Sequence, residues 1–278
     1  MGSFEGRVAF ITGGARGQGR SHAVALAEAG ADVAVCDVGS DIATVRYPMG
    51  TTDELEETVR LAEKAGRRAL GVIADVRDRE AVQRAVDDTV AEFGKVDILC
   101  ANAGIFSRGT VAELSDGAWH TMLDVNLTGV FNAMRAVIPG MVARGSGRII
   151  ATSSVAGKLG APNMSHYAAA KWGVIGLVKS AAMELATTGV TANVICPTNV
   201  NTMMLTNEDM YSLFLPGAEA PTLDQATPVF ASTIPMGVPW VEPEEISAAV
   251  VFLAGDGARF ISGETIAVAA GQTAYNAG

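Results

Sequence analysis

Tyr167 and Lys171 are the two residues whose side-chain types and spacing most directly indicate chemistry. A separation of four residues places a phenol and an ammonium one turn apart on the same face of a helix. The positive charge favours the phenolate, and a tyrosine tuned in this way can exchange a proton with an alcohol near neutral pH. Taken alone, the pair fits an exposed helix surface better, so its significance depends on its surroundings.

Two other polar positions give this pair a context. Ser153 and Ser154 end the fifth apolar run, with Ser154 thirteen positions before Tyr167, where an open α/β sheet would bind ligands. Asn126 lies between apolar residues in the segment LDVNLTGVF, and a buried asparagine inside a helix needs hydrogen-bond partners. These neighbours indicate that the pair belongs to a site.

A glycine-rich segment near the amino terminus has the pattern of a phosphate-binding loop. It reads TGGARGQG from Thr12 to Gly19, after an apolar run and before a helical pattern. Glycines allow a close approach of backbone N–H groups, and the helix amino terminus favours a pyrophosphate. The alternative is an ordinary glycine-rich turn. The residues predicted to contact a cofactor here are Gly13, Arg16, Gly17, Gln18 and Gly19.

An acidic residue closes the second apolar run. Asp37 lies 18 residues beyond Gly19, where a carboxylate can bind the adenosine ribose and repel a 2′-phosphate, which favours NAD over NADP. Arg16 favours the opposite choice, but a carboxylate that faces a phosphate in a poorly solvated cleft is strongly repulsive. Asp75, after the third run, is predicted either to reach the adenine edge or to cap the next helix.

These residues need a scaffold, and the apolar pattern predicts one. Short β-branched runs alternate with stretches of helical period, such as Val82, Val86 and Phe93. The alternation predicts an α/β fold, with one doubly wound, Rossmann-type domain over residues 1–278 and a seven-stranded parallel sheet. The predicted strands are Arg7–Thr12, Asp32–Asp37, Ala69–Asp75, Val96–Ala101, Gly147–Ser153, Val190–Cys196 and Glu264–Val268.

Composition and charge narrow the functional classes. The 278 residues carry 20 Lys and Arg against 30 Asp and Glu, a formal net charge of −10, so we expect no nucleic-acid partner. Apolar stretches are shorter than the ~20 residues of a membrane helix and no signal peptide is evident, so we expect a cytoplasmic protein without a membrane partner. Cys36, Cys100 and Cys196 are too scattered for a disulfide framework or a metal site.

Two segments interrupt the alternation of strands and helices. Residues 38–52 lengthen the connection after the second strand, beside the expected adenosine end of the site. Residues 198–241 are rich in Met, Pro and Thr, show no clean period and follow the sixth strand. Long irregular loops in compact domains are usually functional or mobile, so we interpret residues 198–241 as a substrate lid.

The motifs together resemble those of the short-chain dehydrogenase/reductase family over essentially the whole chain. TGGARGQG matches the family pattern TGxxxGxG, and Asn102-Ala103-Gly104 matches its NAG motif after the fourth strand. Four further residues have the order and separations of the family's Asn–Ser–Tyr–Lys tetrad, namely Asn126, Ser154, Tyr167 and Lys171.

The resemblance implies a role for each member of the tetrad. Tyr167 would be the general acid/base, and Ser154 would hydrogen-bond the substrate oxygen. Lys171 would lower the pKa of Tyr167 and bind the nicotinamide ribose. Asn126 would hold a water molecule in a proton relay. Ser153 is interpreted as a structural neighbour, since Ser154 has the family's spacing from the tyrosine.

The resemblance also extends the set of NAD contacts. Ala101 departs from the family pattern, which often has Asn there, and Pro197-Thr198 stands where Pro-Gly is usual. Neither change alters the expected reaction, a hydride transfer with NAD. The further residues expected to contact NAD are Val38, Val76, Asn102, Ala103, Gly104, Pro197, Val200 and Thr202, together with Tyr167 and Lys171.

Residues 38–52 and the run PTNVNT after the sixth strand resemble a narrower, carveol-dehydrogenase-like subgroup of actinobacterial type, associated with the redox carrier mycofactocin. In that subgroup the longer segment packs over an NAD that does not exchange freely, and an external redox carrier reoxidises it. The resemblance therefore implies that residues 38–52 cover the cofactor. The alternative is a solvent-exposed insertion without a role.

The substrate pocket is expected to be apolar. No Lys or Arg lies between Lys179 and Arg259, so the lid offers no cation to a carboxylate or phosphate. We predict a neutral, apolar secondary alcohol or its ketone, of terpenoid or alicyclic type. The residues predicted near the substrate are Ser154, Phe106, Val155, Met164, Met203, Met204, Leu205, Leu213, Phe214 and Trp240.

The remaining expectations concern assembly and competing functions. Apolar patterns over residues 116–144 and 165–187 predict long helices, which the resemblance implies build a homotetramer; the alternative is that the monomer's own core absorbs them. A noncatalytic dinucleotide-binding sensor is disfavoured, because binding alone needs no Tyr–Lys pair. An NADP-dependent ketone reductase is the third hypothesis, permitted by Arg16 and opposed by Asp37.

Overall fold

Seven short apolar runs form one parallel β-sheet in the computed structural model, which describes residues 4–274. The inner strands are covered on both faces, which is why their sequences are continuous apolar runs. The prediction of seven strands is confirmed, and the third ends two residues early, at Ile73. The strands are β1 (Val8–Thr12), β2 (Asp32–Asp37), β3 (Ala69–Ile73), β4 (Ile98–Ala101), β5 (Gly147–Thr152), β6 (Val190–Pro197) and β7 (Thr265–Val268).

The strand order places a crevice at one edge of the sheet. The order is β3-β2-β1-β4-β5-β6-β7, so β1 pairs with β2 on one side and with β4 on the other. Ala9 of β1, for example, is in register with both Val33 and Ile98. Because the winding reverses between β1 and β4, the loops at their carboxyl ends diverge and leave room for a ligand.

Helices cover both faces of the sheet. They are α1 (Gly17–Glu28), α2 (Thr52–Lys64), α3 (Arg79–Phe93), α4 (Asp116–Leu123), α5 (Gly129–Arg144), α6 (Ser165–Glu184), α7 (Glu208–Phe214), α8 (Leu223–Ser232) and α9 (Pro243–Ala254). Leu26 of α1 and Leu253 of α9 belong to the apolar layer on one face. Val86 of α3, Val130 of α5 and Val178 of α6 belong to the layer on the other.

The long helix predicted over residues 116–144 is interrupted. α4 ends at Leu123, a π-helical turn follows over Asp124–Thr128, and α5 continues to Arg144. A hydrophobic period carries no signal for a single wide turn, so the sequence pattern predicted one continuous helix. Such turns occur frequently at functional sites, and this one contains Asn126.

The two segments that interrupt the alternation differ in structure. Residues 38–50 form neither helix nor strand. Residues 198–241 were expected to be irregular, but they contain α7 and α8. Asn207 caps α7, while Thr222 and Gln225 form a capping box at α8. These start signals are present in the sequence, but helices this short do not establish a clear period.

Within residues 4–274, no helix is both long and apolar enough to cross a membrane, and no cluster of three or more His, Cys, Asp or Glu could hold a metal ion. Cys36, Cys100 and Cys196 are buried and form no disulfide. Burial raises the pKa of the Cys100 thiol to about 12, so this side chain is a small apolar group at neutral pH.

A buried histidine joins α1 to α9. His22 Nδ1 lies 2.8 Å from Ser247 Oγ, which in turn lies 2.7 Å from Ser21 Oγ. The ring is fully buried, and its Nε2 has no hydrogen-bond partner among the described residues. Burial lowers the pKa of His22 to about 3, so the folded protein holds the ring neutral.

This histidine is expected to make the fold sensitive to acid. The unfolded chain binds a proton on His22 near pH 6.5 and the folded chain does not, so the free energy of unfolding falls as the pH drops from 6.5 towards about 3, by roughly 1.4 kcal/mol per pH unit. His22→Asn retains a polar atom near the Nδ1 position. We expect this variant to lose less stability than the wild type between about pH 6.5 and 4.5, measured by urea unfolding. An identical pH slope in both proteins would contradict this.

Candidate active site

The residues singled out from the sequence converge on one cleft at the carboxyl edge of the sheet. The cleft consists of two adjoining cavities, whose linings share Gln18, Asn102, Gly104, Thr202 and Met204. A ligand that occupies both would extend from Asp37 at one end to Tyr167 at the other.

The loop between β1 and α1 forms a wall of the first cavity. Gly13 has a φ of +69°, and a Cβ there would lie 2.7 Å from Ala103 Cα, so only glycine lets the loop pass this close to the end of β4. Arg16 at the N-cap of α1 makes no side-chain capping bond. The N–H groups of the first turn are therefore available to phosphate oxygens, and Gln18 Oε1 is buried nearby with no hydrogen-bond partner among residues 4–274.

Asp37 forms the far end of the first cavity. Its Oδ2 accepts a hydrogen bond from Ala15 N at 3.0 Å, and its Oδ1 accepts one from Val38 N at 2.8 Å. Residues 38–52, which we call the insert, approach this carboxylate: a Cβ at Gly50 would be 3.3 Å from both of its oxygens. Burial raises the pKa of Asp37, and the two backbone hydrogen bonds oppose that shift. The remaining lone pairs can accept hydrogen bonds from ribose hydroxyls.

The guanidinium of Arg16 is already bonded to groups other than Asp37. Its guanidinium donates to the carbonyl oxygen of Pro48 in the insert, and it lies 3.9 Å from a Glu54 carboxylate oxygen. A 2′-phosphate in this region would therefore meet two carboxylates and an arginine that already has partners. The geometry favours NAD over NADP.

Asp75 and Val76 lie just beyond β3 and line the first cavity. Arg77 holds the Asp75 carboxylate, with its Nη2 2.5 Å from Oδ2. Burial raises the pKa of Asp75, but the hydrogen bonds from Arg77 outweigh it, and the net shift is downward. The alternative that Asp75 caps the next helix is wrong, because Asp78 is the N-cap of α3. The contact of Asp75 with adenine stays a prediction.

The segment after β4 connects the phosphate loop to the second cavity. The backbone N–H groups of Asn102 and Ala103 donate to Thr12 Oγ1 at 3.1 and 3.0 Å. At the next residue, Gly104, a Cβ would lie 2.8 Å from Asn126 Oδ1. Glycine therefore lets this backbone lie directly against the buried asparagine.

Tyr167, Ser154 and Lys171 line the second cavity together. Tyr167 and Lys171 are buried side chains of α6, and Lys171 Nζ lies 5.6 Å from the centre of the phenol ring. Lys171 Nζ donates to Thr152 O at 2.9 Å. Ser154 follows β5, and its hydroxyl forms a hydrogen bond with Tyr167. Ser153 has the structural position expected of it, because its Oγ donates to Lys171 O at 2.8 Å.

Burial sets the protonation states of the pair. Burial raises the pKa of Tyr167 to about 12, although the hydrogen bond with Ser154 acts in the opposite direction. It lowers the pKa of Lys171 to about 8, because the ammonium has lost most of its water. The net lowering of the Tyr167 pKa expected from Lys171 does not occur, because burial is the dominant influence on the phenol. At neutral pH the pair is a phenol beside an ammonium, suited to donate a proton to a carbonyl oxygen.

Asn126 is fully buried in the π-helical turn. Its Oδ1 accepts a hydrogen bond from Ile105 N at 3.3 Å, and its Nδ2 donates to Ile105 O at 3.1 Å. Nδ2 also donates to Met122 O at 3.1 Å. Asn126 therefore fixes the backbone after β4, while its place in a proton relay stays a prediction.

Most of the predicted contacts lie on the walls of the cleft. Met203 lines the first cavity, not the second. Trp240 and Leu213 line neither cavity, and Trp240 Nε1 instead donates to Glu242 Oε1 at 3.1 Å. Gly19 also lines neither, because it lies beneath the loop, where a Cβ would be 1.9 Å from Gly13 O. The second cavity is lined by Phe106, Val155, Met164, Met204, Leu205, Phe214, Pro197, Val200 and Thr202.

Several lining residues were not predicted from the sequence. Ile42, Tyr47 and Met49 of the insert line the first cavity, and Met210 of α7 lines the second. The available signal was position, since the insert follows Asp37 directly and the lid follows β6 directly. That signal places whole segments near the cleft without saying which side chains enter it.

The architecture and the cleft by themselves define a class of protein. The structure has the three parts of a dinucleotide-dependent oxidoreductase. They are a Rossmann-type sheet, a phosphate-binding turn between the first strand and the first helix, and a Tyr–Lys–Ser group at the far end of the same cleft. The family model of short chain dehydrogenases matches residues 7–211, and the chain belongs to this family.

Comparison with known proteins narrows the class. The chain is 46% identical over 276 residues to (−)-trans-carveol dehydrogenase of Rhodococcus erythropolis, covering 98% of this chain and 99% of that one. The structure is similar to carveol dehydrogenase from Mycobacterium avium in complex with NAD, with a TM-score of 0.96, 42% identity and coverage of 99% and 100%. It is also similar to levodione reductase, with a TM-score of 0.87, 31% identity and coverage of 98% and 99%. The predicted family, fold and NAD-dependent enzyme class are confirmed.

Tyr167→Phe removes the proton that the site would exchange and leaves the ring in place. We expect this variant to bind NAD as the wild type does and to lose alcohol oxidation by at least about 100-fold. NADH absorbance measures the rate, and ligand-induced thermal stabilisation measures NAD binding. Tyr211→Phe, in another buried tyrosine, is the matched control. Unchanged turnover in Tyr167→Phe would refute the role given to the phenol.

Asp37→Ser tests the choice of cofactor. Loss of the carboxylate removes a hydrogen-bond acceptor for ribose and a repulsive charge for a 2′-phosphate. We expect the ratio of NADP to NAD affinity to rise by at least about tenfold, in line with one hydrogen bond to a charged group. The measurement is titration of protein stripped of dinucleotide. Glu54→Gln, farther from the ribose seat, should shift the ratio less, and a shift in the opposite direction would contradict the assignment.

Proposed function

We propose that the protein interconverts a neutral, apolar secondary alcohol of terpenoid or alicyclic type and its ketone, with NAD as the hydride carrier. The observation that carries this proposal is the position of Tyr167, Ser154 and Lys171, which join the end of the dinucleotide cleft to an apolar pocket. The relatives named for carveol, a cyclic terpenoid alcohol, support the substrate class.

The residues of the chain divide the work of a proton transfer. NAD, when bound along the cleft, supplies the carbon that accepts or donates the hydride. Ser154 hydrogen-bonds the substrate oxygen and holds it beside the Tyr167 hydroxyl. In ketone reduction Tyr167 gives its phenolic proton to that oxygen, and in alcohol oxidation its phenolate takes the alcohol proton. Lys171 stabilises the phenolate by its charge, and Asn126 holds the water through which the proton returns to solvent.

The pocket lining supports an uncharged substrate. Phe106, Leu205 and Phe214 face the second cavity, and Met164 and Met210 complete its apolar wall. The lid carries no Lys or Arg, because none occurs between Lys179 and Arg259. Methionine side chains adapt to irregular shapes, as a branched ring system requires.

A finer proposal concerns the fate of the cofactor. Three side chains of the insert line the first cavity, which we call the dinucleotide cavity, namely Ile42, Tyr47 and Met49. In addition, the Arg16 guanidinium donates to the carbonyl oxygen of Pro48. These contacts support a cover that slows the exchange of NAD, against the alternative of a solvent-exposed insertion. An NAD that stays bound would be reoxidised in place by an external redox carrier, such as mycofactocin.

We also propose a homotetramer in the cytoplasm. α4, α5 and α6 leave large apolar side chains at the surface, including Trp119, Phe131 and Trp172, with Trp172 52% exposed. Exposed apolar patches of this kind favour subunit contacts. The three unpaired cysteines are in keeping with a reducing compartment.

One experiment tests the cofactor and the substrate class together. The protein is purified without added NAD, dialysed extensively and mixed with single members of a panel of alcohols. We expect bound NAD to survive dialysis and to be reduced once per site by cyclic secondary alcohols, read as NADH absorbance. A hydroxy acid serves as the charged control and should react poorly. Protein that emerges empty and turns over readily with free NAD would refute the retained cofactor, and a preference for the hydroxy acid would refute the substrate class.

A further inference from the structure

Five consecutive residues after β4, Ile105–Gly109, contact four different parts of the molecule; we call them the junction segment. Two of the contacts reach the insert and the lid, and the others reach the π-helical turn and the start of α6. The contacts are Ile105 with Asn126, Phe106 N to Tyr47 Oη at 3.0 Å, Ser107 Oγ with His166 Nε2 at 2.9 Å, Arg108 Nε to Asp209 Oδ1 at 2.8 Å, and Gly109 N to Asn163 O at 3.0 Å.

Asp209 is the lid residue in this set. It lies on α7 with its side chain only 7% exposed, and its Oδ1 accepts from Arg108 Nε at 2.8 Å and lies 3.3 Å from Arg46 Nη1. Arg46 belongs to the insert and Arg108 to the junction segment. The next residue of α7, Met210, lines the second cavity, which we call the substrate cavity. One buried carboxylate thus joins the lid, the junction segment and the insert.

The two ion pairs of Asp209 are unequal. The Arg46 side chain is 69% exposed and that of Arg108 is 33% exposed. Exposed ion pairs contribute little, whereas removal of the charge that balances a buried partner is costly. Arg108 is therefore the main anchor of the lid. The insert is held more firmly by Tyr47, which is buried and accepts a hydrogen bond from Phe106 N.

The junction segment, which holds both the lid and the insert, also contacts the catalytic tyrosine. The Phe106 ring meets the Tyr167 ring edge to face, with 5.4 Å between the ring centres. Phe106 lines the substrate cavity, whereas Tyr47, bonded to the same residue, lines the dinucleotide cavity. A displacement of the junction segment would therefore change both cavities together.

We propose that Asp209 is a positioning residue that couples closure of the substrate lid to the cover over the dinucleotide, acting through Arg108 and Arg46. The proposal rests on the proposed function for the identity of the two ligands. By linkage, bound alcohol then tightens NAD binding, and bound NAD tightens alcohol binding by the same factor. Asp209 lines neither cavity, so its effect is transmitted through its partners.

Asp209→Asn keeps the size of the side chain and removes its charge. In the holoenzyme we expect KM for a cyclic alcohol to rise by about tenfold, kcat to change by less than about threefold, and NAD to leave several-fold faster. Glu208→Gln is the matched control, because Glu208 is the preceding, exposed residue of the same helix. Asp209→Glu should recover part of the loss. Wild-type KM and NAD release in Asp209→Asn, or a fall in kcat alone, would overturn the proposal.

Hydrogen exchange without substrate separates this proposal from the proposed function. Asp209→Asn should speed exchange in residues 38–50 as well as in α7, and Arg108→Gln should do so more than Arg46→Gln. Tyr47→Phe, which cuts the other link, should speed exchange in α7. Faster exchange confined to the mutated segment would overturn the coupling whatever the activity. Coupled exchange in a protein that oxidises no alcohol would overturn only the proposed function.

Discussion

The buried ammonium of Lys171 is the interaction on which the arrangement of the site depends. An ammonium that is only 3% exposed has to be bonded, and it donates to Thr152 O at the end of β5. In return, Ser153 Oγ donates to the Lys171 carbonyl oxygen. These two bonds fix α6 against the end of one strand, and Tyr167, one turn earlier on the same helix, is thereby held at the end of the cleft opposite Asp37. The cost of that burial is visible in the pKa of Lys171, lowered to about 8.

Much of the scaffold and part of the site could be predicted because their signals are local. A strand covered on both faces is a continuous apolar run, and a loop that approaches a phosphate needs glycines at fixed positions. Tyr167 and Lys171 belong to the same kind of signal, because a spacing of four on a helix fixes their relative position wherever the helix lies. Asp37 was found as well, since its distance from the phosphate loop is set by one strand–helix–strand unit.

The parts that escaped prediction depend on contacts between distant residues. The π-helical turn contains Asn126, whose amide bonds Ile105, 21 positions earlier. Trp240 is a large aromatic residue of the kind that lines apolar pockets, yet its indole N–H donates a hydrogen bond to Glu242. The predicted direction of the Tyr167 pKa shift, downward, was wrong because burial also depends on distant residues. A spacing reveals the nearby ammonium of Lys171 but not the depth of burial, and burial is the larger effect.

The position of the junction segment follows from the order of the strands. The insert follows β2 and the lid follows β6, and these strands lie on opposite sides of the sheet centre. β4 lies between them, two strands from each, so a loop at its carboxyl end can touch segments that arrive from both sides. Tyr47 comes from one side to Phe106, and Asp209 comes from the other side to Arg108. Any coupling between the cofactor end and the substrate end of such a cleft has its shortest route here. A longer connection after β2 therefore gains a structural role only if it reaches past β1 to this loop, which the insert does.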